Sequence, residues 1–279
     1  MKILITGGNG QLGKDLTLFL KEKNYEIYSF SSKEFDITNL ELILKIANNI
    51  KPEVIINCAA YTAVDDCEKN IERAYLVNSI GAKNVAIVSN KLNAKLFHIS
   101  TDYIFDGKKD LPYIEYDEAN PISIYGKSKL YGEIEVMRHC NNYFILRVAG
   151  VYGKYGKNFV KTIINLARER DKIKVVNDQK TTPTSTLEIC KQIFKLLDSE
   201  HFGIYHATCE GSCTWYEFTK YIFEILNIKT EIIPCTSNEF PRPAKRPENS
   251  VLENFNLKLI GYNTYSHWKE AIKNFLKTF

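Results

Sequence analysis

Short apolar runs alternate with amphipathic segments through the first 150 residues of the chain. The runs are rich in β-branched residues and predict strands at residues 2–6, 25–30, 54–57, 95–99 and 143–148. Apolar residues recur with a helical period in the segments between them, as at Leu12, Leu16 and Leu20. Strands that alternate with helices form parallel sheets covered on both faces. The pattern therefore predicts an α/β fold with a doubly wound parallel sheet.

The periodicity is less regular after residue 150. Strands are predicted near residues 174–176 and 203–207, and helices at residues 187–197 and 215–226. We expect the first of these helices to return to the sheet. A proline-rich stretch, residues 241–247, carries three cations. It is either a solvated linker or a clasp on a phosphate-bearing substrate.

Composition narrows the class of protein. The chain has 279 residues, and its net charge of +4 is too small to indicate a nucleic-acid partner. No run approaches 18 apolar residues, and the first residues do not form a signal peptide, so we expect no membrane span. Seven cysteines without a disulfide framework favour reduced thiols in the cytoplasm. Cys209 and Cys213 lack a second ligand pair at matching spacing, so no metal is expected.

A glycine-rich turn follows the first predicted strand. Its sequence is Gly7-Gly-Asn-Gly-Gln-Leu-Gly13, and a helical pattern begins directly after it. Glycines allow the backbone to approach a pyrophosphate, which binds the unpaired amides at a helix N-terminus. The overlapping Gly8-x-x-x-x-Gly13-Lys14 resembles a nucleoside-triphosphate loop, but Asp15 stands where that motif requires Ser or Thr. The turn therefore predicts a dinucleotide site.

The end of the second strand leaves the choice of dinucleotide open. An acidic residue there would bind the ribose 2′-hydroxyl and exclude a 2′-phosphate. Ser31, Ser32 and Lys33 occupy that region instead, so the sequence predicts NADPH or NADH. Asp36 could bind an adenine amino group or serve as a turn or capping residue.

Small and polar residues follow the next two strands. Cys58, Ala59 and Ala60 come after residues 54–57, where small side chains let a cofactor lie over the strand end. Thr101 ends the fourth strand, so its hydroxyl is expected at the same crevice. His98 lies within that apolar strand and is interpreted as a core residue.

A Tyr-x-x-x-Lys pair, Tyr125 and Lys129, lies on a predicted helix. The spacing places both side chains on one helical face. An ammonium beside a phenol favours the phenolate, so we expect the pKa of Tyr125 to fall toward working pH. Such a tyrosine exchanges protons with a carbonyl or alcohol oxygen. Isolated pairs of this kind usually lie on solvated faces, so the interpretation depends on the neighbouring motifs.

Together the motifs resemble the extended short-chain dehydrogenase/reductase superfamily and, within it, the dTDP-4-dehydrorhamnose reductases. The resemblance covers nearly the whole chain. Its carriers are the glycine-rich turn, residues 57–65 (NCAAYTAVD), residues 100–107 (STDYIFDG), Tyr125-Gly-Lys-Ser-Lys129 and, in the C-terminal half, Asn158-Phe-Val, Pro183-Thr184, residues 211–216 and residues 242–247.

The resemblance implies a Rossmann-like sheet and a smaller C-terminal substrate-binding lobe. The implied cofactor domain is residues 1–149, with residues 173–205 returning to its sheet, and the implied lobe is residues 150–172 and 206–279. The implied catalytic residues are Thr101, Tyr125 and Lys129. The implied cofactor contacts are Gly7, Asn9, Gly10, Gln11, Leu12, Gly13, Ser31, Asp36, Ile37, Cys58, Ala59, Ala60, Thr62, Asn78, Tyr125 and Lys129. The implied substrate contacts are Val64, Thr101, Asp102, Tyr103, Asn158, Arg242 and Arg246.

The implied reaction is NAD(P)H-dependent reduction of the C4 keto group of dTDP-4-dehydro-β-L-rhamnose, by a monomer or homodimer. Two departures from the family pattern concern substrate fit. Gly150 stands where a tryptophan commonly packs beside the substrate, and residues 179–184 lack a usual glycine. The alternatives are a reductase or epimerase acting on another nucleotide sugar, and a non-catalytic dinucleotide-binding regulatory subunit.

Overall fold

A computed structural model describes residues 1–278. Its centre is a six-stranded, all-parallel sheet in the order β2-β1-β3-β4-β5-β10. These strands are β1 (Lys2–Thr6), β2 (Glu26–Phe30), β3 (Val54–Asn57), β4 (Lys95–Thr101), β5 (Tyr143–Val148) and β10 (Gly203–His206). The predicted α/β, doubly wound parallel sheet is confirmed.

Helices cover both faces of this sheet. In chain order they are α1 (Gln11–Glu22), α2 (Leu40–Ile50), α3 (Val64–Cys67), α4 (Ile71–Tyr75), α5 (Ala82–Lys91), α6 (Ile124–His139), α7 (Phe159–Glu169), α8 (Thr186–Leu196), α9 (Trp215–Leu226), α10 (Phe255–Leu259) and α11 (Trp268–Leu276). Alternation along β1 explains the two layers, because Ile3 and Ile5 pack in the core with α1 and α8 while Leu4 packs with α2, α5 and α6.

The strand order places a crevice beside β1. From β1 the chain builds β2 on one side and then crosses to β3 on the other, so the order in which strands are added reverses between β1 and β3, although all strands stay parallel. Ligands of open parallel sheets bind outside the carboxyl ends of strands at such a switch point. The glycine-rich turn after β1 and the loop after β3 therefore border the expected binding site.

Short two-stranded sheets lie outside the central one. They contain β6 (Val151–Tyr152), β7 (Lys172–Val176), β8 (Lys180–Thr181), β9 (Thr184–Ser185), β11 (Cys213–Thr214) and β12 (Glu231–Cys235). The segment predicted to return to the sheet does so only in part. Strand β10 joins the central sheet and α8 packs against α1, but β7 pairs in parallel with β12. The sequence gives the strand propensity of residues 172–176 but not their partner, which is a non-local choice.

A π-helical turn at Leu76–Gly81 lies between α4 and α5. Within it the buried Asn78 accepts a hydrogen bond from the Tyr61 amide at 2.8 Å and donates to the Ser128 hydroxyl at 2.9 Å. Gly132 of α6 lies against the Asn78 carbonyl, where a Cβ would not fit. The irregular turn therefore joins the loop after β3 to helix α6.

No helix within residues 1–278 is both long and apolar enough to cross a membrane.

Candidate active site

The glycine-rich turn forms a cradle between β1 and the loop after β3. Gly7 has a φ of +65°, and a Cβ built on it would lie 2.8 Å from the Ala59 amide nitrogen. The Gly10 amide donates to the Gly7 carbonyl at 2.8 Å, closing the turn ahead of α1. A residue other than glycine at position 7 would strain the backbone and strike the neighbouring loop. The turn therefore fits the phosphates of a dinucleotide at the N-terminus of α1.

A cavity of about 630 Å³ opens from this turn across the carboxyl ends of the strands. Twelve of the predicted site residues line it: Gly10, Gln11, Leu12, Cys58, Ala60, Thr62, Val64, Thr101, Asp102, Tyr103, Tyr125 and Lys129. The three implied catalytic residues therefore share one cavity with half of the implied cofactor contacts.

Tyr125 and Lys129 stand in the first turns of α6, which begins after the cap residue Ser123. The Ser123 hydroxyl accepts a hydrogen bond from the Gly126 amide at 3.1 Å, which fixes the start of the helix. Lys129 is only 2% exposed, and its ammonium donates to the Ile99 carbonyl at 2.6 Å. The lysine is thus anchored to β4, the strand that ends at Thr101.

The expected fall in the pKa of Tyr125 is not what the structure shows. Burial raises the pKa of the Tyr125 phenol, and contact with the Thr101 hydroxyl only partly offsets this. Burial also lowers the pKa of Lys129 to about 8. The lysine is directed at the Ile99 carbonyl, so desolvation outweighs its attraction for a phenolate. Tyr125 is therefore held as a neutral phenol, the form that donates a proton.

A buried ion pair between α6 and β5 holds this helix against the sheet. Arg147 on β5 donates to Glu133 on α6, with Nη2 at 2.8 Å and Nε at 3.1 Å from the carboxylate oxygens. Ser100 donates to the same carboxylate. Glu133 lies one helical turn after Lys129, and its charge raises the pKa of Lys129 against the larger effect of burial.

Thr101 is tied to its neighbour Asp102. The Thr101 hydroxyl donates to the Asp102 carboxylate at 3.0 Å and accepts from the Tyr103 amide at 3.2 Å. Burial raises the pKa of Asp102 to about 6. The hydroxyl must therefore rotate away from Asp102 before it can donate to a substrate oxygen.

The predicted contacts to adenosine lie outside this cavity. The Glu34 carboxylate accepts from the Ser31 amide at 3.0 Å and the Ser31 hydroxyl at 2.7 Å, and these bonds lower the pKa of Glu34. Asp36 accepts from the amide and hydroxyl of Thr38 at 3.0 and 2.8 Å, which is the turn role considered above. Ile37 is buried against Gly81. Glu34, which was not among the predicted contacts, thus covers the end of β2.

The amide of Asn158 is bound to the chain itself. It donates to the Gln11 side chain at 2.7 Å and to the Gly153 carbonyl at 2.9 Å, and it caps α7. Asn158 is not among the residues that line the cavity, so the structure places it beside the glycine-rich turn. Asn78 likewise supports the loop after β3 through the contacts described above. For both residues a ligand contact stays a prediction.

Arg242 and Arg246 line a second cavity of about 340 Å³. Tyr103, Gln179 and Trp215 line both cavities and stand between the main cavity, which contains Tyr125, and the two arginines. The Asp65 carboxylate binds Arg246 in a bidentate pair, with both N–O distances at 2.9 Å. The structure therefore places the extended segment 241–247 against α3, and its role as a clasp on a substrate stays a prediction.

Trp215 occupies the space beside Gly150. Gly150 has a φ of +51°, and a Cβ there would lie 3.1 Å from Pro183 and 3.4 Å from the Trp215 ring. The family resemblance implied only that Gly150 stands where a tryptophan commonly packs beside the substrate. In the fold, Trp215 at the start of α9 supplies an aromatic ring at this point. Trp215 lies far from Gly150 in sequence but adjoins it in space.

Within residues 1–278 no group of three or more His, Cys, Asp or Glu side chains could hold a metal ion. His98 is 1% exposed and shares a hydrogen bond with Asn57 at 3.1 Å, as expected of a core residue.

Comparison with known proteins agrees with this geometry. The family model described as the RmlD substrate binding domain matches residues 1–279. A crystal structure of a dTDP-4-dehydrorhamnose reductase from Clostridium acetobutylicum is 47% identical, with a TM-score of 0.98 over 100% of this chain and 99% of that one. One from Bacillus anthracis, in complex with NADP, is 44% identical with the same TM-score and coverage. The spore coat polysaccharide biosynthesis protein SpsK of Bacillus subtilis is 38% identical over 99% of this chain and 97% of its own.

The resemblance drawn from the sequence motifs is confirmed by these matches, which extend over the whole chain rather than over the cofactor domain alone. The chain belongs to the RmlD family, the dTDP-4-dehydrorhamnose reductases.

Proposed function

We propose that this protein reduces the C4 keto group of dTDP-4-dehydro-β-L-rhamnose to give dTDP-L-rhamnose, with NADPH or NADH as reductant. The observation that carries the proposal is that Thr101, Tyr125 and Lys129 line one cavity with the glycine-rich turn. A carbonyl reduction needs a proton donor beside a cofactor site, and this cavity provides both.

The residues that would hold the cofactor follow the carboxyl edge of the sheet. Gly7, Gly10 and the amides at the start of α1 suit its pyrophosphate, and Cys58 and Ala60 leave room above the end of β3. When bound, the reduced nicotinamide supplies the hydride. The relative from Bacillus anthracis binds NADP, which supports NADPH as one reductant for this chain.

Tyr125 donates the proton to the oxygen at C4. Its phenol is neutral because burial raises its pKa, so the proton is available over the whole physiological range. Lys129, anchored on Ile99, brings a cation to the same cavity, where it favours negative charge on the reacting oxygen. Thr101 provides a second hydroxyl once it rotates from Asp102.

The two cavities divide the substrate between them. The space near Tyr125 suits the sugar, and the space lined by Arg242 and Arg246 suits the diphosphate and base. We propose accordingly that residues 1–149 hold the cofactor and that residues 150–172 and 206–279 supply most of the substrate lobe. Reduced thiols, NADPH and a nucleotide sugar all favour the cytoplasm as the site of action.

The alternatives are less favoured. Dehydratases of this superfamily usually carry an acidic residue after the Thr-Asp pair, and this chain has Tyr103 there. A regulatory subunit would not need Thr101, Tyr125 and Lys129 at one cavity. The relatives reported above that are named for an activity are reductases of this substrate.

Absorbance at 340 nm tests the function. Purified protein, dTDP-4-dehydro-β-L-rhamnose and NADPH or NADH should give a fast absorbance decay, and the two rates give the cofactor preference. An isomer or dehydrated product without net oxidation of the cofactor would instead indicate an epimerase or dehydratase. Cofactor binding without turnover would indicate a regulatory protein.

A further inference from the structure

Asp65 stands directly behind the arginine that faces the second cavity. It is the second residue of α3, next to Val64, which lines the main cavity. Its carboxylate accepts from Arg246 Nη1 and Nη2, both at 2.9 Å, and from the Ala244 amide at 3.2 Å. These three bonds join α3 to the extended segment 241–247.

The pairing fixes the orientation of the Arg246 guanidinium. Nη1 also donates to the Ala244 carbonyl at 2.7 Å, so within residues 1–278 both hydrogens of Nη1 and one of Nη2 are engaged. The guanidinium also interacts with the Tyr103 side chain, with which it shares a hydrogen bond. A bidentate pair of this kind restrains a planar guanidinium far more than a single bond does.

Tyr103 connects this guanidinium to the catalytic cavity. Its ring packs edge-to-face on Tyr125, with 5.8 Å between ring centroids. Tyr103 also lines both cavities. The position of Arg246 therefore bears on the wall that separates the diphosphate space from the proton donor.

The charged residues around the second cavity show whether Asp65 faces its interior or lies outside it. Lys174, Arg242 and Arg246 line that cavity, and no carboxylate is among the described residues that line it. Asp65 does not line it either, although it binds Arg246. The carboxylate therefore supports the arginine from outside the cavity rather than filling the place of an anion.

We propose that Asp65 is a positioning residue for the diphosphate of the nucleotide sugar, holding the Arg246 guanidinium in place at the wall of the second cavity. The proposal rests on the proposed function, because it takes the second cavity as the nucleotide end of the substrate. Asp65 does not touch the reacting atoms, so its effect should be on nucleotide affinity rather than on proton transfer.

The test compares Asp65→Asn with Asp66→Asn, which removes the same charge from the neighbouring residue of α3. Asp66 contacts Tyr61 and Asn70 instead of an arginine. We expect D65N to weaken dTDP binding, measured by calorimetry, about tenfold, the usual effect of losing a charge-assisted hydrogen bond. D66N should stay within about twofold of wild type, and D65E should fall between D65N and wild type. The KM for the nucleotide sugar should follow the dTDP affinity, while the KM for NADPH stays unchanged.

A double variant separates positioning from a general loss of charge. In an Arg246→Lys background, D65N should add little further loss, since the bidentate pair is already absent. If D65N does not fold, dTDP binding is measured with D65E and R246K instead, because each variant keeps the charge pair and alters its geometry. The proposal is overturned if D65N, or both of these substitutes, bind dTDP as tightly as wild type or more tightly.

The dTDP-binding measurements do not depend on whether the protein turns over the nucleotide sugar. Wild-type protein that binds dTDP but turns over no dTDP-4-dehydro-β-L-rhamnose would refute the proposed function and leave the role of Asp65 measurable by dTDP binding. Turnover with an unaltered dTDP affinity in D65N would refute the positioning role alone.

Discussion

The burial of Lys129 should cost the protein stability at neutral pH. The side chain is 2% exposed and its pKa is lowered from 10.5 to about 8 by burial. A difference of about 2.5 pKa units between the unfolded and folded states corresponds to about 3 kcal/mol. Because the folded pKa is depressed, burial costs no stability above pH 10.5, where the lysine is neutral in both the folded and the unfolded state. The cost grows as the pH falls below 10.5 and is complete once the pH has fallen through 8.

Lys129→Met removes the charge and keeps the length of the side chain. We expect the variant to gain about 2 kcal/mol in the free energy of unfolding at pH 7, since losing the bond to the Ile99 carbonyl offsets about 1 kcal/mol of the gain. The gain should shrink by about 2 kcal/mol between pH 7 and pH 9.5, where the folded lysine becomes neutral. The same variant should lose most of its turnover.

Denaturant unfolding of both proteins at the two pH values measures this difference. Lys127→Met is the matched control, because Lys127 lies on the same helix and is exposed. Its effect on stability should be small and independent of pH. If K129M has the same advantage at pH 7 and pH 9.5, or none at either, then burial does not lower the pKa of this lysine and the account of Tyr125 and Lys129 is wrong.

Three further substitutions test the site. Tyr125→Phe should lower kcat by roughly 10²–10⁴ while NADPH affinity is kept, because it removes only the proton donor; near-normal turnover would exclude Tyr125 from that role. Glu34→Ala frees the Ser31 amide and hydroxyl for a 2′-phosphate, so the ratio of kcat/KM for NADPH to that for NADH should rise roughly tenfold; an unchanged ratio would mean that Glu34 does not influence the choice. Trp215→Phe shortens the wall shared by both cavities and should raise the KM for the nucleotide sugar several-fold, about 1 kcal/mol of aromatic contact, without changing the KM for NADPH; an equal effect on both substrates would show general disruption of the fold.

Local signals predicted the parts of the site that lie at strand ends. The glycine-rich turn, the residues after Asn57, and Thr101 follow strands whose apolar pattern is evident in the sequence, and parallel strands bring their carboxyl ends to one edge. Tyr125 and Lys129 were found by helical spacing. The spacing did not predict the direction of their pKa shifts, because desolvation depends on the surrounding fold and not on the distance between the two residues in sequence.

The second cavity shows what the sequence alone does not contain. Asp65 and Arg246 are separated by 181 positions, and Trp215 adjoins Gly150 through the packing of α9. Such pairs follow from tertiary contacts and leave no periodicity in the chain. The partner of β7 was missed for the same reason, since pairing with β12 depends on a non-local choice among strands.

The most direct test of the central claim follows the hydride. NADPH that carries deuterium on the transferred face of C4, incubated with the protein and dTDP-4-dehydro-β-L-rhamnose, should give dTDP-L-rhamnose with deuterium at C4 of the sugar, one equivalent for each NADPH oxidised. Both values are read by NMR and absorbance from the same sample. Deuterium at another carbon, or product formed without loss of deuterium from the cofactor, would contradict the assignment of this protein as a C4 keto reductase.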